Sequence, residues 1–427
     1  MTITPTHPTQ APNAVTAQPA REIIANAIAA ANHSANGVVF APFHMKVVAG
    51  TNFTNIWNSE RGSKPLTFFQ SQGTGPFLPL GDVVHPESAN ASTWPSYPDA
   101  AMLFAPTQLD PGALAHPVEF EWFLDSYGTE SNSRGLLHYY RMKPPEGYAA
   151  LGIAFGTFSS YPDVNRYWCV RKDLLVTIDR QFYWSDDGQG WTKHTGDLWK
   201  PVFRATDAGS SDGRMLIIPP VFLSFEDRNR EMAYALSVAP ATLDVQAPPP
   251  EPLFAPHTHD GSETPAGVRN VQVVPFTAVA DPGREAPGLR SPFYYVAAQP
   301  LWECVGVANT PAGGTYTRTI RIGVAEAQAE VFRNQTTITV SGQIGVAFRG
   351  VGAQVSKTLT QEFELVTATG SATETVIETK NELPLPKAKS VSIWEGRTDI
   401  SVYRTDGRLF TNIRYANRDT RLVTQPD

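Results

Sequence analysis

The sequence predicts an all-β fold, and three observations carry that prediction. From Val38 to about Ser237 the chain is a series of brief apolar or aromatic runs, such as VVFAPF, VEFEWFL and MLIIPPVFLSF, broken by Pro, Gly and Asn turns. A glycine-and-aromatic pattern echoes within that region. The run Thr315–Glu364 then alternates apolar with small polar residues, contains no Pro, and far exceeds the five or six residues of an ordinary strand. The expected architecture is an N-terminal pseudo-repeated β-prism or β-sandwich-like domain followed by an elongated antiparallel β-sheet module.

Taken in order, residues 1–37 read as a leader plus one short helix. The first twenty residues are rich in Thr, Pro, Ala and Gln and have no apolar core of a signal peptide. Arg21–Ala31 carries apolar residues at helical spacing, which suits a helix capping a sheet. Residues 38–242 form the first β region. Residues 243–267, with APPPEPLFAP and THDGSETPAG, read as a Pro-rich linker. Residues 268–427 return to strands that are longer and richer in Thr and Val.

The echo pairs Phe77–Val83 with Tyr148–Ala154, so that Gly81 and Gly152 stand 71 residues apart (152 minus 81). An aromatic pair precedes each copy, Phe68–Phe69 and Tyr139–Tyr140, and a weaker third unit lies near Phe182–Trp184. Repeated supersecondary units predict pseudo-symmetric sheets.

Composition narrows the functions. The 427 residues suffice for two or three domains with real cores. A net charge of -7 offers no basic face for nucleic acid and no bulk attraction to anionic lipid. Two cysteines, Cys169 and Cys304, exclude a disulfide framework and leave one long-range bridge open. No apolar run approaches the roughly 20 residues of a membrane-spanning helix. The expected history is a protein made in soluble form, released without a signal peptide by a non-classical route, and ending at a target-cell membrane.

Enzyme chemistry finds little support. Gly209-Ser210-Ser211-Asp212-Gly213 has the spacing of a hydrolase nucleophile elbow, but Pro219-Pro220 follows where that motif needs a helix. His257, His259 and Asp260 sit in the Pro-rich stretch without further metal-ligand spacing, and Asp186-Asp187-Gly188 lacks the rest of a calcium loop. The expectation is no enzyme, no cofactor and no metal.

Two resemblances organise these observations. Tyr140-Arg141-Met142-Lys143-Pro144-Pro145-Glu146-Gly147-Tyr148, then Ala150-Leu151-Gly152, then Cys169-Val170-Arg171-Lys172-Asp173-Leu174, together with Leu80-Gly81-Asp82-Val83, resemble motifs of the vacuolar protein sorting-associated sixty-two family of plants and fungi. Tyr140 stands where that family has Trp, and Ile153 where it has Asp. The resemblance implies a fold more than an activity. The residues agree with an architectural role, since Pro144 and Pro145 favour turns and Gly147 can supply a positive φ.

The second half resembles the aerolysin-like β-pore-forming fold, which includes bacterial insecticidal toxins. The residues that carry the resemblance are the Thr/Ser-rich run Thr315–Glu364, the return Ala368–Glu382, and the ending Leu383-Pro384-Leu385-Pro386 through Trp394 to Tyr403-Arg404-Thr405-Asp406-Gly407. The resemblance implies a toxin that assembles as a homo-oligomer and inserts a β-barrel.

Alternation locates an insertion hairpin at 338–356. Ile338, Val340, Gly342, Ile344, Val346 and Phe348 share one face, and Thr339, Ser341, Gln343, Gly345 and Ala347 the other. Arg349-Gly350 is the expected tip. Val351, Ala353 and Val355 continue the apolar face downward until Lys357 interrupts it. Thr315–Thr337 and Lys357–Glu364 are expected to form the stalk. The competing reading is an ordinary amphipathic sheet with a core on one side.

Trp94, Tyr97, Trp122, Trp184 and Trp191 are candidate receptor-binding aromatics that would stack on a glycan or grip a protein, with core packing as the alternative. The rival function is a lectin or adaptor with a non-inserting β stalk. The expected partners are therefore a target-cell membrane, a surface receptor and further copies of the chain, and no nucleic acid.

Overall fold

The structure is a computed structural model that describes residues 18–33, 37–49, 53–58, 66–86, 100–125, 137–157, 161–185, 197–202, 214–225, 232–239, 241–255, 262–275, 279, 293–336, 338–341, 345–347, 360, 363, 376–387 and 389–426. Helix α1 (Gln18–His33) extends the predicted helix at both ends and buries Ala20, Ile24 and Ile28 on one stripe.

Short strands follow: β1 (Val38–Phe40), β2 (Phe43–Ala49), β3 (Phe53–Asn58), β4 (Leu66–Ser71), β5 (Val83–Pro86), β6 (Ala100–Pro106), β7 (Leu114–Ala115), β8 (Glu119–Asp125), β9 (Leu137–Lys143), β10 (Tyr148–Ala149) and β11 (Ile153–Thr157). The series continues with β12 (Cys169–Arg171), β13 (Leu175–Ser185), β14 (Asp197–Val202), β15 (Met215–Ile217), β16 (Leu223–Phe225), β17 (Ala233–Val238) and β18 (Ala241–Leu243).

Three of the sheets built from these strands close around one core. Their orders are β3-β4-β5, β11-β9-β8 and β15-β17-β13-β14-β16. The core holds Phe68, Tyr139, Phe155, Trp184, Leu198 and Phe222. Phe68, Tyr139 and Phe155 meet edge to face, with centroids 4.9 to 6.0 Å apart. Phe68 and Tyr139 hold corresponding places in the two echoed aromatic pairs, and Val48 of β2 with Leu103 and Ala105 of β6 adds a fourth sheet to the same core.

The echoed glycines touch. A Cβ on Gly152 would lie 2.9 Å from Val221 Cβ, 3.0 Å from the Leu80 carbonyl and 3.1 Å from Gly81 Cα. Beside them the Asp82 N–H donates to Ile153 O (2.9 Å), and the Ile153 N–H to Phe222 O (3.1 Å). The three chain passages that lead into β5, β11 and β16 thus run side by side, and only a residue without a side chain fits between them.

The remaining elements are β19 (Ser262–Glu263), β20 (Arg269–Pro275), β21 (Phe293–Thr310), β22 (Gly314–Gly323), α2 (Glu326–Thr336), β23 (Thr339–Ser341), β24 (Gly345–Ala347), β25 (Val376–Leu385), β26 (Lys389–Arg404) and β27 (Leu409–Thr424). With β18, the strands other than the separate pair β23-β24 build a long antiparallel sheet of order β18-β20-β21-β26-β27-β22-β25, with β19 also on β21. Strand β21 has 18 residues, or about 60 Å of extended chain.

Central β26 is covered on both faces, and its charged middle is paired. Arg397 bonds Glu303 (2.7 Å) and Glu395 (2.9 Å), while Arg414 bonds Asp399 (2.7 Å) and Glu263. The Pro-rich stretch is laid along this sheet, with Ala247 bridging Val268 and the Thr264 and Gly267 N–H groups bonded to Trp302 and Pro300. One core runs from α1 and β1 into β20, β21 and β26, and Phe40 meets Phe293 at 5.4 Å.

One expectation about Thr315–Glu364 is corrected. Residues 326–336 form helix α2 rather than strand. Ala, Glu, Gln and Arg are strong helix formers, and Ala329, Phe332 and Thr336 fall on one buried stripe. The expected tip at Arg349-Gly350 lies outside the described residues. Among the described residues that follow α2, Thr339 pairs Ala347, Val340 pairs Val346 and Ser341 pairs Gly345.

Candidate functional sites

The candidate insertion segment hangs between two paired strands. In β22 and β25 Gly314 faces Leu385, and the ladder closes at Gly323 facing Val376. From Gly323 the chain enters α2, which packs on β27. Ala329, Phe332, Ile338, Val340 and Phe363 share a core with Ile320, Ile322, Ile413 and Tyr415. The Thr336 hydroxyl donates to Phe332 O (2.6 Å) and accepts the Ile338 N–H (3.1 Å), turning the helix end into β23.

Of the candidate insertion residues, Ile338 and Val340 are therefore buried in the core, and Val346 is the cross-strand partner of Val340. Ile344, Phe348, Arg349, Gly350, Val351 and Val355 lie outside the described residues.

The candidate receptor aromatics divide. Trp122 is 56% exposed on β8. Trp184 is 3% exposed and belongs to the same core as Phe68 and Tyr139, which corrects its assignment as a surface ring. The register shift of β13 between Phe182 and Trp184 breaks the alternation, so that Trp184 turns inward while Phe182, two residues earlier, stays exposed. Trp94, Tyr97 and Trp191 lie outside the described residues.

Sequence reasoning missed Tyr161, which is 64% exposed. Its hydroxyl donates to Phe120 O (3.1 Å), and its ring sits 4.9 Å from Tyr140. Tyr140 adjoins His138 (6.2 Å), which adjoins Trp122 (6.3 Å), so one aromatic strip ends in two exposed rings. Tyr161 sits in no repeated pattern, and no sequence signal singles it out.

The motif residues of the first half are structural. Gly147 has φ +83° at the turn after Pro144-Pro145, and the Lys172 N–H bonds its carbonyl. Arg171 forms a two-bond fork on Asp110 (2.8 and 2.7 Å) and also bonds Asp173 (2.7 Å). The bonds from Arg171 hold the Asp110 carboxyl below its usual range.

Asp82, also missed as a functional residue, is fully buried. One oxygen accepts the Ser71 N–H (3.0 Å), the other the Phe155 N–H (2.8 Å), and the Tyr167 hydroxyl reaches both (3.1 and 2.9 Å). Gln70 lies behind Tyr167 and is itself held by Arg166 (2.9 Å). Burial pushes the Asp82 carboxyl up to about 7, against the downward pull of the two N–H bonds, the Tyr167 hydroxyl and the Arg166 charge.

A carboxyl raised in the folded state contributes stability below its unfolded value near 3.8, and that contribution is lost as pH rises through about 7. Urea midpoints are expected to fall across that window by the equivalent of up to about 4 kcal/mol. Asp82→Asn should be less stable throughout, because its amide nitrogen meets a backbone N–H, and should lack this pH dependence. An unchanged pH profile in Asp82→Asn would exclude Asp82 as the titrating group.

Cys169 and Cys304 are buried and form no disulfide, and burial pushes the Cys169 thiol up to about 12, well away from the reactive thiolate. Ser211, His257, His259, Asp260, Asp186 and Asp187 lie outside the described residues. Among the described residues there is no metal-holding cluster and no helix long and apolar enough to cross a membrane.

No curated protein matches the chain. Among solved structures, GNIP1Aa from Chromobacterium piscinae is similar at 19% identity with a TM-score of 0.34. That match covers 45% of this chain and 37% of GNIP1Aa, so the chain spans little more than a third of that relative's length. Cry35Ab1 is similar at 10% identity with a TM-score of 0.33, over 73% of this chain and 89% of Cry35Ab1. Residues 26–201, which carry Asp82, Tyr167 and the contact between Gly81 and Gly152, match the model of the family described as vacuolar protein sorting-associated protein 62.

Proposed function

We propose that this chain is a pore-forming toxin: its first half recognises a target-cell surface, and several copies then insert the 338–356 hairpin as a closed β-barrel. The carrying observation is the register of β22 and β25. Continued step by step from Gly323 facing Val376, the same ladder brings Phe348 opposite Val351, with Arg349-Gly350 at the apex.

In that register the two alternations fall into phase. Val346 faces Ala353, Ile344 faces Val355 and Val340 faces Leu359 on one side. Gln343 faces Ser356, Ser341 faces Thr358 and Thr339 faces Thr360 on the other. A shift of one residue on one arm would set apolar against polar along the whole length. Gly342 faces Lys357, so the one cation on the apolar side has an open neighbour along which to bend toward the rim.

The apolar arms, Ile338–Phe348 and Val351–Leu359, match the roughly 9–11 residues of a membrane-crossing strand. Closure into a barrel pairs every backbone polar group, which a lone hairpin in lipid does not. In the compact chain the same segment is held in a different pairing, with Ile338 and Val340 in the protein core.

The test places single cysteines from Ile338 to Val355, with Cys169 and Cys304 replaced, and labels each with an environment-sensitive dye. Added membranes are expected to give blue shifts at every second residue. Uniform signals would remove the insertion segment. The exposed rings of Trp122 and Tyr161 favour a surface-binding role for the first half in either reading. Binding to target-cell vesicles without dye release would therefore select the lectin or adaptor.

A further inference from the structure

We propose that α2 is a helical latch: it holds the segment after β22 in its compact pairing and must leave β27 and become strand before β22 and β25 can extend. The inference rests on the pore reading and adds the element that restrains it.

Position gives the first argument. Gly323 is both the last residue of the ladder with β25 and the point where β22 meets β27, through Ala416. Three residues later α2 begins. Continuation of the ladder to the apex passes through all 11 residues of α2, so the helix and the extended hairpin exclude one another. As a helix those residues advance about 16 Å, and as strand about 36 Å. The returning arm would have no backbone partner over that length if α2 persisted.

Stability gives the second argument. An isolated helix of this length is marginal in water, so α2 exists by packing. Its anchors are few. Ala329, Phe332 and Thr336 are its buried residues, and Gln335 accepts a bond from the Thr411 hydroxyl of β27 (2.9 Å). Its other side chains, including Val331, face solvent. Loss of the Phe332 contact removes the largest side chain that holds the helix in place.

Composition gives the third. Read as strand, Glu326, Gln328, Glu330 and Asn334 fall on one face with Phe332, and Arg333 and Gln335 on the other with Ala325, Ala327, Ala329 and Val331. Neither face suits lipid. The stretch fits the wet stem between the β22–β25 ladder and the apolar arms.

Dye release from target-cell membrane vesicles tests the latch with two variants of the full chain. Phe332→Ala is expected to release dye at least tenfold faster than wild type. Gln335→Cys combined with Thr411→Cys, on a background lacking Cys169 and Cys304, is expected to release at least tenfold slower when oxidised and to recover on reduction. Equal release by the oxidised and reduced pair, with the thiols shown to be consumed, would overturn the latch. Where that bond does not form, the rate of Phe332→Ala decides, and a rate no faster than wild type overturns it. Where Phe332→Ala does not fold, the crosslinked pair decides. A wild-type chain that releases no dye removes the pore reading itself, an outcome distinct from failure of the latch alone.

Discussion

Ile344→Arg is expected to bind target vesicles as wild type does and to release at least about thirtyfold less dye, while Gln343→Arg releases dye normally. The two positions are neighbours, so bulk charge, local propensity and membrane attraction change equally. In the proposed barrel they differ in face: with the β22–β25 register continued, Ile344 would face Val355 near the middle of the apolar arms, and Gln343 would face Ser356 on the lumen side.

A cation on the lipid side of a barrel near the bilayer midplane costs about 2–4 kcal/mol, and the lower figure alone is a factor of about thirty. Every copy in a closed barrel carries its own arginine, so the effect compounds with assembly. Release measured at equal bound protein separates insertion from attachment. Equal loss in both variants would remove the assignment of faces.

Gly152→Val is expected to lose at least about 3 kcal/mol of stability, a large share of the roughly 5–15 kcal/mol that holds a typical domain folded. The added carbon meets Val221 Cβ at 2.9 Å, Leu80 O at 3.0 Å and Gly81 Cα at 3.1 Å. Two of the three are backbone atoms and cannot rotate aside. Relief requires the passages before β5, β11 and β16 to separate, which stretches the Asp82-to-Ile153 and Ile153-to-Phe222 bonds.

Gly306→Ala is the control. Its Cβ would meet only Ile393 Cδ1, at 3.9 Å, so a cost below about 1 kcal/mol is expected. Urea unfolding reads both. A Gly152→Val midpoint equal to that of Gly306→Ala would sink the three-passage junction.

Several features were legible before the fold was known. Short apolar runs between turns marked strands because a side-chain period of two and a turn residue are local properties. The 71-residue echo of Gly81 and Gly152 was visible as a repeat, and the structure explains it as one glycine packed on the other. The positive φ of Gly147 followed from its place after two prolines.

Other features were not legible, for reasons that are equally physical. Residues 326–336 carry helix formers inside a run of strand formers, and the contact of Phe332 with the core shared by Ile413 and Tyr415 settles the choice. Asp82 looks like a turn carboxylate in the sequence. Its burial exists only because Ser71, Phe155 and Tyr167, the last 85 residues away, converge on it. Trp184 and Trp122 are alike as letters, and packing sends one inward and leaves the other exposed.

By itself, then, the sequence determined the all-β class and the repeat, because each depends on residue type and spacing alone. The tertiary structure decided which pairing the segment adopts in the compact chain. Val340 faces Val346 there because α2 and β27 bury Val340 and Ile338 together with Phe332, a gain that no property of the segment alone can supply.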